Sequence, residues 1–351
     1  MFTQVHSSKI SRYIKNTGYK FVFGDRRCQF NDFSRIKPNQ WQKQISSPIM
    51  QFYSSVDNIG NYLSVLGIQQ MLNHQTDTWC ICDPKIDFEF INQNYKCAII
   101  GGAGLLHECF ETFWKKVLKE CQIPILVWGV GVCLPDEDNV RIDIDDSIKN
   151  SGVSREIITQ IAQRIELINV RDDLTANFYD LKDADISACP TLVHVSKFEL
   201  KERIKPQFLL SSHEDLVSLE DQAKIFQTVD SIVNSFRYTD NFQKTYQSID
   251  EIILNYYCPS SAVVTTRLYG AIIAYGLGIP YVAIARDHKL REFHRLYGNG
   301  ICLENSEEIK EALVQVLKDK PSNKVQIEPV LAFGRRASEC IASFCNLSVA
   351  D

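Results

Sequence analysis

Short apolar runs alternate with amphipathic stretches along the chain from about residue 46 onward. Apolar runs that end in glycine or polar residues predict buried strands, and apolar positions three or four residues apart predict helices. The predicted strands of the first half are SPIMQFYSS, TWCICD, KCAII, IPILVWGV, LINV and DISACPT. Helical patterns such as YLSVLGIQQMLNHQ and HECFETFWKKVLKEC lie between them. This β-α alternation predicts a doubly wound parallel sheet.

The same pattern restarts after the charged segment SKFELKERIKP. PQFLLSS, VVTT and YVAIA predict strands, and LEDQAKIFQTVDSIVNSF and SEEIKEALVQVLKD (306–319) predict helices. Ser154 and Ser306 have the residue type and position of helix N-caps. A last helix is predicted near 333–345.

These patterns predict an α/β protein with two Rossmann-like, doubly wound domains that face a cleft. Ligands of such sheets bind beyond the carboxyl ends of the strands. The predicted divisions are an N-terminal arm (1–45), a first domain (46–195), a linker (196–206), a second domain (207–330) and a C-terminal helix (331–351) that packs back on the first domain.

The composition narrows the class of protein. The net charge of −5 over 351 residues gives no reason to expect nucleic-acid binding. The 12 cysteines include no CxxC pair and no zinc-type spacing, so we expect reduced thiols and no metal site. Cys80 and Cys82 lie in a predicted strand and would share a face. The sequence contains neither a signal-peptide pattern nor an apolar run of membrane-spanning length, so a cytoplasmic protein is expected.

The segment VVTTRLYGAIIAYGLGIP (263–280) places an arginine where a predicted strand ends and a predicted helix begins. The first turn of a helix offers unpaired N–H groups and the positive end of the helix dipole. Arg267 adds a planar guanidinium that suits a carboxylate or a phosphate. The sequence therefore predicts an anion-binding turn formed by Arg267, Leu268, Tyr269 and Gly270.

Two other groups follow predicted strands in the same way. Arg171 follows LINV; it is either a second anion ligand that faces Arg267 or the partner of its neighbours Asp172 and Asp173. The tripeptide that contains Asp287 and Lys289 follows YVAIA and is either part of the same site or a solvated turn.

Two loops of the first domain are also candidates. Asn58, Gly60 and Asn61 open the first helix, and Gly101 and Gly102 follow KCAII. Small residues let a ligand approach the backbone, whereas the alternative is a set of ordinary tight turns with Asn58 as a helix cap. The glycines do not form a G-x-G-x-x-G pattern, so they do not indicate a dinucleotide.

Several segments together resemble the polysaccharide pyruvyl transferase family and cover most of residues 55–297. The N-terminal arm and DEDNVRIDIDD (136–146) lie outside the resemblance. The matching segments, in chain order, are NIGNYLSVLGIQQML, AIIGGAGLL, PILVWGVGV, INVRDDLTANF, ISACPTL and VVTTRLYGAIIAYGLGIPYVAIARDHKLREF.

The resemblance implies a GT-B-like architecture and a transferase of exopolysaccharide or other polysaccharide biosynthesis. Such an enzyme would move the pyruvyl unit of phosphoenolpyruvate onto hydroxyls of a cell-surface saccharide or its lipid-linked precursor, with no further cofactor. It would be cytoplasmic or peripheral at the inner face of the membrane. Arg171, Arg267 and Tyr269 would be catalytic, and Leu268, Gly270, Asp287 and Lys289 would complete the donor site in the second domain. The two loops of the first domain would bind the acceptor.

The sequence departs from the family at Tyr269, because the third residue of this turn is usually histidine. Histidine exchanges protons near neutral pH, whereas the unperturbed pKa of tyrosine is about 10. Three outcomes follow: another residue handles the proton, the donor differs, or activity is reduced or lost.

Two other functions remain open. One is a GT-B-like glycosyltransferase that uses a nucleotide sugar, although no E-x7-E-type pair is evident in the second domain. The other is a non-catalytic protein that binds saccharides or anions. His194 and His213 lie near predicted strand ends, where a surface or capping role is favoured over catalysis. The oligomeric state is not determined by the sequence.

Overall fold

A computed structural model describes residues 28–29, 45–54, 58–132, 152–200, 207–212, 219–233, 236–241, 248–319 and 325–345. The chain forms two compact units. The N-terminal unit comprises residues 35–197, 295–297 and 325–351, and the C-terminal unit comprises residues 1–34, 198–294 and 298–324.

The described strands are β1 Cys28–Gln29, β2 Ile49–Tyr53, β3 Asp77–Cys80, β4 Cys97–Gly101, β5 Ile125–Val130, β6 Ile165–Val170, β7 Asp185–Ile186, β8 Phe208–Ser211, β9 Phe236–Thr239, β10 Ala262–Thr265, β11 Tyr281–Ile284 and β12 Ile301–Leu303. The described α-helices are α1 Ile59–Leu72, α2 Phe88–Asn94, α3 Glu111–Glu120, α4 Arg155–Ala162, α5 Asp173–Phe178, α6 Thr191–Val195, α7 Leu219–Ile232, α8 Ile249–Ile252, α9 Leu268–Gly276, α10 His288–Leu296, α11 Ile309–Asp319 and α12 Glu328–Cys345. A 3₁₀ turn (Glu108–Phe110) precedes α3, and a π-helical turn (Ile253–Tyr257) extends α8.

The sheet of the N-terminal unit has the strand order β3-β2-β4-β5-β6-β7, and every pair is parallel. From β2 the chain moves outward to β3 and then returns past β2 to β4, so the order reverses between β2 and β4. Apolar residues are buried on both faces of the sheet, as a parallel sheet covered by helices requires.

The sheet of the C-terminal unit has the order β1-β9-β8-β10-β11-β12 and is also entirely parallel. Its order reverses between β8 and β10. One face packs against α7 and α11 through a buried core that includes Phe226, Ile309 and Leu313. The apolar helix α9 packs near β10 and β11.

The C-terminal helix α12 belongs to the N-terminal unit, where it contacts α1, β4 and β6. The rings of Phe333 and Trp128 lie 5.1 Å apart in an edge-to-face arrangement. Arg336 Nη1 lies 2.7 and 2.8 Å from the two carboxylate oxygens of Asp185 on β7. Packing and charge thus both attach this helix to the sheet.

Several local predictions were wrong. The short strands β1 and β12 and helix α2 had not been predicted, and β1 lies within the segment interpreted as an irregular arm. The helix predicted to begin at Ser306 begins at Ile309, and the last helix begins at Glu328. Ser154 occupies the N-cap position of α4, but its side chain makes no capping hydrogen bond. Its N–H instead donates to Glu111 Oε2, 3.2 Å away.

The cysteines are free thiols wherever the structure describes their side chains. Strand β3 ends at Cys80, so Cys82 does not continue the strand as predicted; both sulfurs instead lie near the Ser54 carbonyl, at 3.0 and 3.3 Å. The described ranges contain no cluster of three or more metal-ligating side chains. No helix within these ranges has the length and apolar character needed to cross a membrane.

Candidate functional site

Arg267 lies where the C-terminal sheet reverses its strand order. Thr265, at the end of β10, pairs with Ser211 at the end of β8, and Arg267 follows two residues later. Its Nη1 donates to the Ser212 carbonyl beyond β8 at 3.5 Å, near the limit for a hydrogen bond. The guanidinium therefore reaches from one strand end to the other, at the position where open α/β sheets bind ligands.

Local hydrogen bonds determine the shape of the Arg267 turn. Thr265 Oγ1 accepts from the Arg267 N–H at 2.9 Å and donates to the Arg267 carbonyl at 3.0 Å. Helix α9 then begins at Leu268. A Cβ at Gly270 would overlap Thr265 Oγ1 and approach Ser211 Oγ to 2.8 Å. Glycine therefore allows the first turn of α9 to lie directly against the strand ends.

The other predicted members of the turn are buried. Leu268 is 9% exposed and Tyr269 is 6% exposed, beside Arg267 at 3%. The turn is therefore a largely desolvated environment in which a guanidinium and a helix N-terminus lie together. Such an environment strengthens electrostatic interactions with a bound anion.

Sequence reasoning missed three buried polar residues beside this turn: Ser211, Asn241 and Tyr257. The Tyr257 hydroxyl lies 2.7 Å from Asn241 Oδ1 and 3.1 Å from Ser211 Oγ. Burial raises the pKa of Tyr257 to about 12, although the hydrogen bonds to Ser211 and Asn241 and the positive charge of Arg267 act in the opposite direction. The polar run after FRYT was the sequence signal for Asn241, whereas nothing local marked Tyr257.

Asp287 and Lys289 form a capped pair at the start of α10. Asp287 Oδ1 accepts from the Leu290 N–H at 2.9 Å, and Oδ2 lies 3.2 Å from Lys289 Nζ. Burial raises the pKa of Asp287, but the charges of Lys289 and His288 and the Leu290 N–H outweigh it, so the pKa lies below its usual value. The interpretation as a solvated turn is wrong, because the Asp287 side chain is only 4% exposed.

Arg171 is buried in the N-terminal unit at the end of β6, with 7% of its surface exposed. Its main-chain N–H donates to the Val130 carbonyl at 2.9 Å, and Nη2 donates weakly to the Val132 carbonyl at 3.4 Å. The buried Nε has no hydrogen-bond partner. Within the described residues no carboxylate forms an ion pair with this guanidinium.

The neighbouring acids do not neutralise Arg171. Asp172 Oδ1 accepts from the Thr175 N–H at 2.7 Å and so caps α5. Asp173 pairs with Arg295, which belongs to the same unit. The alternative of a local ion pair is therefore wrong, and Arg171 is a buried cation that is suited to an anionic ligand.

Gly131 makes room for Arg171. A Cβ at this glycine would lie 2.8 Å from both Nε and Nη2 of the arginine. The loop that follows β5 therefore contributes to the position of the guanidinium, in addition to β6.

The predicted acceptor residues lie at the reversal point of the N-terminal sheet. Asn58 Oδ1 accepts from the Gly60 N–H at 3.2 Å and caps α1, and the Asn61 N–H donates to the Asn58 carbonyl at 3.0 Å. A Cβ at Gly101 would lie 2.8 Å from Ile68 Cδ1, and one at Gly102 would overlap Ser64. Capping and close packing account for these residues, which lie at the carboxyl edge of the sheet, where open α/β sheets in general bind ligands.

Two further histidines, His194 and His213, were predicted near strand ends. His194 lies in α6 and is 4% exposed, so a surface role is wrong. His213 lies outside the described residues.

Comparison with solved structures shows the fold. The chain resembles S. aureus MnaA in a co-structure with UDP (TM-score 0.53, 11% identity, 86% of this chain and 98% of that chain covered). It also resembles the UDP-GlcNAc 2-epimerase of Methanocaldococcus jannaschii (TM-score 0.50, 10% identity, 84% and 99% covered). A putative UDP-N-acetylglucosamine 2-epimerase of Listeria monocytogenes gives a TM-score of 0.50 (10% identity, 86% and 98% covered). These are GT-B folds, so the predicted fold class is confirmed.

No curated protein matches this sequence significantly. A family model described as polysaccharide pyruvyl transferase matches residues 10–288, which include both arginines and the residues around them. The family implies a transferase, as the resemblance in the sequence had indicated. The chain belongs to the polysaccharide pyruvyl transferase family.

Proposed function

We propose that this transferase uses phosphoenolpyruvate as its donor and forms a pyruvate ketal on a saccharide. Family membership supports pyruvyl transfer to a polysaccharide. Phosphoenolpyruvate is the donor that the resemblance implies. It carries a carboxylate and a phosphate, so its recognition requires cationic side chains and N–H donors in a site that excludes water.

One observation carries the choice of an anionic donor: Arg171 is buried without a carboxylate partner among the described residues. A buried and unpaired cation is costly, and binding of an anion compensates for that cost. An arginine kept only for stability would be expected to have an acidic partner. The unpaired Nε indicates instead that this guanidinium serves a ligand.

Arg267 supplies the second cationic group of the proposal. It lies at the reversal point of its sheet and at the N-cap of α9, whose first N–H groups have no partner within the helix. We assign an anionic group of the donor to Arg267 and to the first turn of α9, where Leu268, Tyr269 and Gly270 lie.

The proposed reaction begins with protonation of C3 of the donor alkene. The resulting cationic C2 is attacked by a sugar hydroxyl, and the bond between C2 and the phosphate oxygen breaks. A second hydroxyl of the same sugar then attacks C2 and closes the ketal. One hydroxyl proton replaces the proton added to C3, and the other leaves with phosphate. The arginines stabilise the departing phosphate and the carboxylate.

The finer identity of the acceptor also belongs to the proposal. We propose a cell-surface saccharide or its lipid-linked precursor, bound near Asn58, Gly60, Asn61, Gly101 and Gly102. The supporting facts are the family and the position of these residues at the reversal point of the N-terminal sheet. A lipid-linked acceptor would bring the enzyme to the cytoplasmic face of a membrane.

The test measures phosphate release from phosphoenolpyruvate with a panel of saccharide acceptors, together with the mass of the product. Arg171→Ala and Arg267→Ala should each reduce kcat/KM for the donor by more than tenfold, since loss of a charged partner costs about 2–5 kcal/mol. Arg155→Ala is the matched control, because Arg155 is exposed.

The competing functions give different results in the same assay. A glycosyltransferase would release a nucleotide from a nucleotide sugar and would ignore phosphoenolpyruvate. A binding protein would be stabilised by its ligand but would release no phosphate. Unchanged donor kinetics in both arginine variants would contradict the proposed donor site.

A further inference from the structure

We propose that Asn241 is an additional ligand-binding residue, whose side-chain amide donates a hydrogen bond to an anionic oxygen of the molecule held by Arg267. The inference rests on the proposed function for the identity of that molecule as phosphoenolpyruvate. It adds a side-chain amide donor to the guanidinium and the main-chain N–H groups of the site.

The side-chain amide of Asn241 has a buried N–H donor group without a hydrogen-bond partner. Asn241 is completely buried, and its Oδ1 lies 2.7 Å from the Tyr257 hydroxyl. Its Nδ2 is also buried but has no hydrogen-bond partner. A side-chain amide offers two N–H donors, and buried donors in native proteins are nearly always paired. An asparagine kept only to hold Tyr257 would not require this unsatisfied group.

Asn241 lies at the same edge of the sheet as Arg267. Asn241 follows β9, which is the neighbour of β8, and the Ser212 N–H donates to the Thr239 carbonyl at 3.1 Å. The Ser212 carbonyl in turn accepts from Arg267 Nη1. Asn241, Ser212 and Arg267 thus lie at the same carboxyl edge, beside the N-terminus of α9.

A shared neighbour connects the amide to the guanidinium. The Tyr257 hydroxyl contacts Asn241 Oδ1, and the positive charge of Arg267 lowers the pKa of that hydroxyl against the larger effect of burial. Arg267 is itself only 3% exposed. The guanidinium and the amide therefore belong to the same buried cluster around the Tyr257 hydroxyl.

The chemistry of the group suits an anion. The Nδ2 donor is neutral, so it recognises an anionic oxygen without adding a second buried charge next to Arg267. Its Oδ1 is held by Tyr257, which fixes the rotation of the amide. The group is consequently preorganised, and binding requires little ordering of the side chain.

The test uses Asn241→Asp, which keeps the size of the side chain and the acceptor for Tyr257 but replaces the donor by a carboxylate. Its backbone has φ of 57°, a conformation that aspartate also tolerates. We expect the Kd and KM for phosphoenolpyruvate to rise by at least about tenfold while the ligand-free protein stays folded. Arg155→Ala should leave both constants unchanged. A Kd within twofold of wild type would overturn the proposal.

Tyr257→Phe separates ligand binding from support of the cluster. This variant removes the partner of Oδ1 but leaves Nδ2 in place, so its loss of affinity should be smaller than that of Asn241→Asp. Equal losses would mean that the amide acts only through Tyr257, which also overturns the proposal.

Binding of inorganic phosphate distinguishes failure of the proposed donor from failure of the proposed role of Asn241. If wild type binds phosphate but not phosphoenolpyruvate, the proposed donor is wrong, and weaker phosphate binding by Asn241→Asp still supports the anion site. If Asn241→Asp binds phosphate as wild type does in that case, the site is refuted. If wild type binds neither anion, both proposals fail.

Discussion

The substitution Gly131→Ala tests the position of Arg171 without changing its charge. The added Cβ would lie 2.8 Å from Nε and Nη2 of the arginine and 3.2 Å from Cζ. Ordinary contacts of a Cβ are 3.4–4 Å. The guanidinium must therefore move by about 0.6 Å or more to relieve the overlap, because nonbonded repulsion rises steeply at short distance.

A displacement of this size should reduce catalysis more than stability. A shift of about 1 Å in a positioning group can cost about a hundredfold, so we expect kcat/KM for phosphoenolpyruvate to fall about tenfold, or about 1.4 kcal/mol. The unfolded chain loses entropy when glycine becomes alanine, which stabilises the protein by about 0.4–1 kcal/mol and offsets much of the local strain. The melting temperature should therefore change by only a few degrees.

The assay is steady-state phosphate release at varied donor concentration, with donor binding measured by thermal shift. Gly278→Ala is the matched control: no atom lies within 4 Å of its added Cβ, but φ is +67°. It should lower stability by about 1 kcal/mol through backbone strain and leave the kinetics unchanged. Normal kinetics in Gly131→Ala together with strong impairment in Arg171→Ala would refute the steric argument.

Three further predictions concern the C-terminal unit. Arg267→Lys should keep the fold but lose at least about tenfold in kcat/KM for the donor, because an ammonium cannot reproduce the planar fork; kinetics within twofold of wild type would contradict this. Tyr269→Phe should slow phosphate release if the hydroxyl positions the donor, and Tyr269→His should support turnover through an imidazole that exchanges protons near pH 7; equal rates for wild type and Tyr269→Phe would exclude a chemical role for the hydroxyl. The lowered pKa of Asp287 gives stability that is fully present above its unfolded value of 3.8 and is lost as the pH falls through the lower folded value. Urea titrations between pH 2 and about pH 6 should therefore show a less steep acid decline for Asp287→Asn, and parallel curves would contradict the assignment.

Local patterns were sufficient for most elements of regular structure. The strands around Ile99, Leu126 and Val264 are fully buried apolar runs followed by glycine or polar residues. This pattern is visible in the local sequence and does not depend on the rest of the fold. The very short strands β1 and β12 were missed because two or three residues carry no usable periodicity. Their assignment depends on pairing: Cys28 pairs with Phe236, far along the chain, and Ile301 pairs with Val282 across the intervening helix α10.

In the candidate site, too, local sequence predicted the positions of residues, whereas packing decided their contacts. The sequence placed Arg171 and Arg267 at the ends of strands, since that location follows from local order alone. It left open whether Arg171 pairs with its neighbouring acids, because the direction of a side chain is decided by what packs around it. The structure turns Asp172 toward the first turn of α5 and pairs Asp173 with Arg295.

The proximity of Asn241 to Arg267 could not be predicted from any local sequence pattern. Asn241 lies 26 residues before Arg267 in the sequence, yet both residues reach one edge of the same sheet. The order of the strands brings them together, and that order is fixed by nonlocal pairing and by the core beneath it.

The sequence by itself determined the α/β class, the two sheets, the family and the arginines at strand ends, because these follow from residue types and their spacing. Only the tertiary structure decided where each sheet reverses, which charges are neutralised and which donors remain unsatisfied. Those properties depend on distances between residues far apart in the chain, and burial then determines how much each unpaired group costs.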